Sequence, residues 1–263
     1  MKIRYQLSVA IAGASALVLT THISTAQAFS VFFGEDLNVG GNGNTPLSSF
    51  PNSSQAEADF ISKLKGVGTE DFEGFNANQK PPLNLTFPGA GTATLSGAGS
   101  INTGSSNEST DGAYPISGNQ NYLTFVGDGG FTANLDQPVA AFGFYLTDLS
   151  DLVGTQLNLE LGFSNGTTKN LVVPNTISPR PGSGSVVYYG VIADNPSEVF
   201  TNVSFTFANN GNENEGVGMD DITIGSLEQV ENVPEPLTIL GSATALGIGG
   251  LLKKESSKKQ KKS

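Results

Sequence analysis

Gln156-Leu-Asn-Leu-Glu-Leu-Gly-Phe-Ser164 alternates side chain by side chain. Leu157, Leu159, Leu161 and Phe163 fall on one face of an extended chain, and Asn158, Glu160 and Ser164 on the other. A period of two is the mark of a half-buried strand. The pattern recurs outward from this stretch. Val203, Phe205 and Phe207 alternate with Ser204 and Thr206, and Phe142, Phe144 and Leu146 with Gly143, Tyr145 and Thr147. Residues 122–126, 131–135, 171–173, 186–192 and 222–224 are further strands on the same grounds. Turn-forming runs separate them: Gly127–Gly130, Ser164–Gly166, Pro179–Gly184, Asn195-Pro196 and Asn209–Gly218. No helical period intervenes, so βαβ units are not expected. The pattern predicts an all-β fold, an antiparallel jelly-roll-like β-sandwich in which each sheet keeps one solvated face. Leu83–Ser109 is rich in Gly, Ser, Thr and Asn and reads mostly as loop, with one strand at Ala93–Leu95.

One short helix precedes the strands. Ser54 followed by Glu57 has capping-box spacing, Phe60, Ile61 and Leu64 share a face, and Gly66 sits where a glycine closes a helix. The predicted organisation is therefore residues 1–28 as a signal peptide, 29–68 as a preface carrying this helix, 69–230 as the sandwich, and 231–263 as a C-terminal targeting segment.

The ends carry the targeting signals. Lys2 and Arg4 form a basic start, Leu7–Leu19 is apolar, and Ala26-Gln-Ala28 is a small-residue cleavage site that would leave Phe29 first. At the other end Val233-Pro234-Glu235-Pro236 is followed by the apolar run Leu237–Leu252 and by Lys253, Lys254, Lys258, Lys259, Lys261 and Lys262. As a helix the apolar run would reach roughly 24 Å, short of a ~30 Å hydrocarbon core, and snorkelling lysines would stretch its fit. The basic flank favours the cytoplasmic side, which places residues before Val233 outside. A sorting signal, a permanent anchor and a soluble tail are the three readings of this segment.

Between these ends, residues 29–232 hold 22 acidic side chains against five basic ones, Lys63, Lys65, Lys80, Lys169 and Arg180, a balance of −17. Such a surface repels nucleic acid and anionic lipid. Cysteine is absent, and the single histidine, His22, lies in the signal peptide. Ser-His-Asp and Cys-His catalysis and the usual zinc ligand sets are thereby excluded from the mature chain. Carboxylate chemistry and oxygen-ligated calcium or magnesium stay open. Acid pairs such as Asp148/Asp151 and Glu70/Asp71/Glu73 suit a glycosidase only at a defined separation, and solvated loops account for them equally. The catalytic expectation is that there are no catalytic residues and that the protein is not an enzyme.

In Met219-Asp-Asp-Ile-Thr-Ile-Gly225, strict alternation puts Asp220 on the face of Ile222 and Ile224, which is the core face. A carboxylate there needs donors or a cation. Three readings stand: Asp220 accepts backbone amides, or Asp220, joined by Asp221 at the strand end, holds a structural Ca2+, or Asp220 is a catalytic acid.

The order Pro-Glu-Pro, apolar segment, basic tail resembles the PEP-CTERM sorting signal, and Ser30-Val-Phe-Phe-Gly-Glu-Asp-Leu37 with Gly66–Phe75 resembles the opening of such exported proteins of cyanobacterial type. The resemblance implies export, recognition of Val233–Pro236 by an exosortase, and transient association of residues 237–252 with the inner membrane. The protein would then reside at the cell surface or in the extracellular matrix, as a structural or adhesive unit associated with exopolysaccharide. The Asp-Asp-Ile ending is also similar to the last strand of jelly-roll carbohydrate-binding modules. That resemblance implies a first strand bearing Phe72-Glu73, with Glu73 sharing the calcium. A carbohydrate-binding module would use Tyr145, Tyr188 and Tyr189 as a concave platform. A secreted carboxylate-dependent polysaccharide hydrolase is the third alternative.

Overall fold

A computed structural model describes residues 29–39, 46–104, 112–125, 130–149, 156–176, 183–208 and 216–231. Ala26, Ala28, Val233–Pro236, the apolar run 237–252 and the basic tail lie outside these residues. Among the described residues no helix is long and apolar enough to cross a membrane.

In chain order the elements are β1 (Phe29–Asp36), α1 (Pro51–Ile61), β2 (Gly68–Glu70), β3 (Leu83–Phe87), β4 (Gly91–Gly97), β5 (Ser100–Thr103), β6 (Gln120–Phe125), β7 (Phe131–Val139), β8 (Ala141–Thr147), β9 (Gln156–Phe163), β10 (Thr168–Val173), β11 (Val186–Ala193), β12 (Phe200–Ala208) and β13 (Gly216–Gly225). They form two antiparallel sheets. The first runs β1-β11-β8-β13-β6-β5, with β2 also paired to β13, and the second runs β10-β9-β12-β7-β4-β3. This is the β-sandwich that the alternating pattern predicts.

Aromatic rings join the two sheets. Phe144 of β8 meets Phe205 of β12 edge-on at 5.3 Å, and Tyr122 of β6 meets Phe131 of β7 at 5.2 Å. Within the second sheet, Phe131 and Phe205 stack at 4.3 Å. The second sheet keeps the expected solvated face. Along β9, Leu157, Leu159 and Leu161 are buried, and Gln156, Asn158 and Glu160 between them are only half-buried.

The first sheet departs from that expectation. Every residue of β8 and of β11 is buried. Its outer face is covered by α1, whose Phe60 ring fills a pit at Gly143 and Gly190. A Cβ on Gly190 would lie 2.7 Å from the Phe60 ring, and one on Gly143 would lie 2.9 Å from it. Full burial of that ring contributes about 2–3 kcal/mol.

The helix itself begins earlier than the Ser54/Glu57 spacing implies. Phe50 is its N-cap residue, Pro51 takes the first helical position, and no local side chain caps it. Asp36 at the end of β1 does so instead, accepting the Ser53 amide at 2.8 Å and the Asn52 amide at 3.2 Å. The helix ends at Ile61, and Gly66 lies beyond it. Residues 29–68 are thus not set ahead of the sandwich. They supply an edge strand, the helix lying on the sheet and the start of β2. The stretch read as loop at 83–109 likewise contains β3, β4 and β5.

Candidate functional site

Strand β13 changes partners along its length. Gly216–Met219 pair with β6, and Ile222–Ile224 pair with β2. Asp220 and Asp221 stand at the changeover. On the other side of the strand, the register with β8 shifts between Asp220 and Thr223. Asp221 has φ +49, a left-handed conformation that Asp tolerates better than most residues.

This bulge overturns the predicted parity. Asp220 pairs with Tyr145 and Thr223 with Gly143, residues on the α1 side of β8, and Ile224 pairs with Phe142 on the core side. Asp220 therefore faces away from the core side that Ile222 and Ile224 occupy. It is buried all the same, at 1 % exposure, because the segment 112–119 folds over it.

That segment supplies donors to all three predicted ligands. Asp220 Oδ2 accepts the amides of Ile116 (2.7 Å) and Ser117 (3.1 Å), and its Oδ1 accepts the Asp221 amide at 2.8 Å. Asp221 Oδ1 accepts the Ser117 hydroxyl at 2.6 Å. Glu73 Oε1 accepts the amides of Asn119 and Gln120, the latter at 2.7 Å. Gly118 lets Glu73 approach: its φ is +61, and a Cβ there would lie 2.3 Å from Oε1. Glu73, Asp220 and Asp221 thus grip one loop from two sides. Both oxygens of Asp220 and one oxygen each of Asp221 and Glu73 hold backbone or hydroxyl donors. Among the described residues, no three His, Cys, Asp or Glu side chains are placed to hold a metal ion. As placed, all three side chains cap backbone or hydroxyl donors of this loop.

Burial dominates the electrostatics. The Asp220 carboxyl is pushed up to about 8, first by burial and second by Asp221, against the downward pull of its three amide donors. Burial also raises Asp221, opposed by the Ser117 hydroxyl, while the charges of Glu57 and Asp71 push it further up.

The three tyrosines do not form an open platform. Tyr145 and Tyr188 lie under α1, where the Tyr145 hydroxyl donates to Glu57 Oε2 at 2.8 Å and Tyr188 packs on Phe60. Tyr189, one residue along β11, points the other way, into the core against Phe144. All three are no more than 2 % exposed. Among the described residues, the buried Tyr188 hydroxyl and the buried side-chain amide of Asn121 find no hydrogen-bond partner.

The remaining acid pairs also serve the backbone. Glu70 and Asp71 accept the amides two residues ahead of each, those of Phe72 and Glu73. Asp148 is buried and accepts the Gly184 amide at 2.7 Å, and Asp151 lies outside the described residues.

No family model matches the sequence, and no curated protein matches it. Among solved structures, the K2 cleaved adhesin domain of Lys-gingipain is similar at 10 % identity, covering 60 % of this chain and 99 % of that one with a TM-score of 0.38. The C-terminal family 22 carbohydrate binding module of Clostridium thermocellum Xyn10B is similar at 13 % identity, covering 62 % and 95 % with a TM-score of 0.36. The CBM22-1 xylan-binding domain of Paenibacillus barcinonensis Xyn10C is similar at 13 % identity, covering 65 % and 98 % with a TM-score of 0.34. Likenesses at this distance do not bear on what this chain binds.

Proposed function

We propose that the chain is an exported, exosortase-processed surface or matrix protein whose β-sandwich is a structural or adhesive unit, associated with extracellular polysaccharide and without catalytic activity. The observation that carries this reading is where the packed unit lies relative to the two processing motifs. Phe29, the residue after Ala26-Gln-Ala28, is already buried in β1 and stacks on Phe163. Val230, three residues before Val233, still bridges to Leu64. Removal of both flanks leaves every described element whole.

The deeply buried carboxylates of the described residues, Asp148 and Asp220, accept backbone amides, which supports a scaffold over a hydrolase. The burial of Tyr145, Tyr188 and Tyr189 weighs against a sugar platform built from them, so association with polysaccharide would use other parts of the surface.

The test is mass spectrometry of the protein exported by an exosortase-positive host. The mature form should begin at Phe29 and lack peptides from Lys258–Lys262. Replacing Pro234 and Glu235 with alanine should leave an unprocessed, membrane-held form. Equal processing of the double variant would overturn the reading.

A further inference from the structure

We propose that β1 is a self-association edge at which two copies of the chain pair antiparallel about a twofold axis through Phe32, joining their first sheets into one. The other end strands of the two sheets are guarded. β5 is covered by Asn78 and Gln79, which exchange backbone hydrogen bonds with Ile101 at 2.7 and 2.8 Å. The exposed run of β10 is Thr168-Lys169-Asn170, with a lysine on the edge. β3 exposes only Asn84 and Thr86 and buries its three apolar residues. Short length, charge and cover are the usual protections of a sheet edge.

β1 has none of these over its first six residues. Phe29-Ser-Val-Phe-Phe-Gly34 has no charged side chain and no proline. Among the described residues the only strand partner of β1 is β11, and at its far end the Asn52 side-chain amide donates to the Glu35 carbonyl at 3.1 Å. Val31 and Phe33 share the side of the strand on which Phe29 stacks over Phe163, yet each is 40 % exposed. They are two of the four large apolar side chains exposed among the described residues.

The sequence of the strand selects a second copy as the occupant. In an antiparallel pair centred on Phe32, Val31 faces Phe33 of the second copy and Phe33 faces its Val31. The four exposed side chains then form one apolar patch between the two sandwiches. Ser30 faces Gly34, and Glu35 faces Phe29, so no carboxylate meets a carboxylate in spite of the acidic surface. Glu35 is in any case held within its own copy by the Thr176 amide at 2.8 Å. A strand with like charges at matching positions could not pair with itself in this way.

The chain has no cysteine, so cross-linking reads the register directly. Cα atoms of directly opposed antiparallel residues lie about 4.5–5.5 Å apart, within disulfide reach. The full-length Val31→Cys/Phe33→Cys double variant should oxidise to a covalent dimer. Peptide mapping should find the thiol introduced in place of Val31 joined to the one introduced in place of Phe33 of the other copy. Each single variant, and Val172→Cys on the exposed face of β10, should stay at background. Mapping the bond separates this contact from any association through the apolar terminal segments. A double variant no more cross-linked than Val172→Cys, or one joined only through like positions, would overturn the proposal. As a second measurement, Val31→Lys/Phe33→Lys should weaken self-association at least tenfold in sedimentation with an unchanged melting temperature. Unchanged sedimentation would overturn the proposal, and either failure leaves the processing of the two ends unaffected.

Discussion

The second sheet meets water on one face, and the centre of the first meets water on neither. In β9 the apolar and polar positions separate cleanly, because only one side is packed. In β8 and β11 they do not, because the core lies on one side and α1 on the other. A strand buried on both faces relaxes the demand for alternation. Gly143, Tyr145, Tyr188 and Gly190 are residues chosen by a helix, although they sit in strands. In this fold a polar or small residue in a strand marks a second packed layer in one sheet and solvent in the other.

The largest test of that difference removes the second layer. Phe60→Ala empties the pit over Gly143 and Gly190 and should destabilise the protein by about 3–5 kcal/mol in denaturant unfolding. A loss below about 1 kcal/mol would mean that α1 is a loose cover and that the two sheets are alike.

Next comes the pH dependence of the buried Asp220. Its folded-state pKa, about 8, lies above the 3.8 of an unperturbed aspartate, so the folded state holds a proton that the unfolded state has already lost. The stabilisation is fully present below pH 3.8 and is lost as pH rises through about 8. The slope in between is up to about 1.4 kcal/mol per pH unit. Asp220→Asn should flatten this profile in melts between those limits. A variant with the wild-type slope would show that Asp220 is not the titrating group.

A smaller effect tests the fit of the cover. Gly190→Ala forces a methyl against the Phe60 ring and should cost about 1–3 kcal/mol. The matching change on the half-solvated face of the second sheet, Glu160→Gln, should stay within about 0.5 kcal/mol. If the two cost the same, the asymmetry between the sheets is not energetic.

The smallest expected effect is that of calcium. With the carboxylates of Glu73, Asp220 and Asp221 turned to amides and a hydroxyl, thermal melts with calcium and with chelator should coincide. A rise of several degrees in calcium would show that the loop they grip opens to a cation.

These contrasts explain what could be read from the chain. β9 and β12 were legible because a single packed face imposes a period of two. β1 was not, since Phe32 packs on α1 while Phe29 turns to the second sheet, and Ser30-Val-Phe-Phe33 shows no period. β3 did carry a signal, the strict alternation Leu83-Asn-Leu-Thr-Phe87, masked by the Gly- and Ser-rich sequence after it.

At the site, the residue types were legible and their placement was not. Asp220 needed donors, as its apolar neighbours implied, but no local sequence announces the bulge that turns it from the core. Tyr188 and Tyr189 are adjacent, and adjacent strand residues face opposite ways. That alone excludes a shared platform. Glu73, Asp220 and Asp221 converge only through residues 112–119, a segment more than 30 positions from Glu73 and about 100 from Asp220.

Strand β13 lies inside the first sheet, bonded to β8 on one side and to β6 and then β2 on the other, and the chain leaves it through the Leu64–Val230 bridge. Tension applied beyond Glu231 would therefore act first on the backbone bonds of that bridge, Glu231 to Lys63 and Lys65 to Gln229, and on the Gln229 side chain bonded to Gly66 and Pro88. It would next act on a strand with neighbours along both sides, whose hydrogen bonds would have to shear together. A molecule held by this end would release that terminal segment first and then resist as a block.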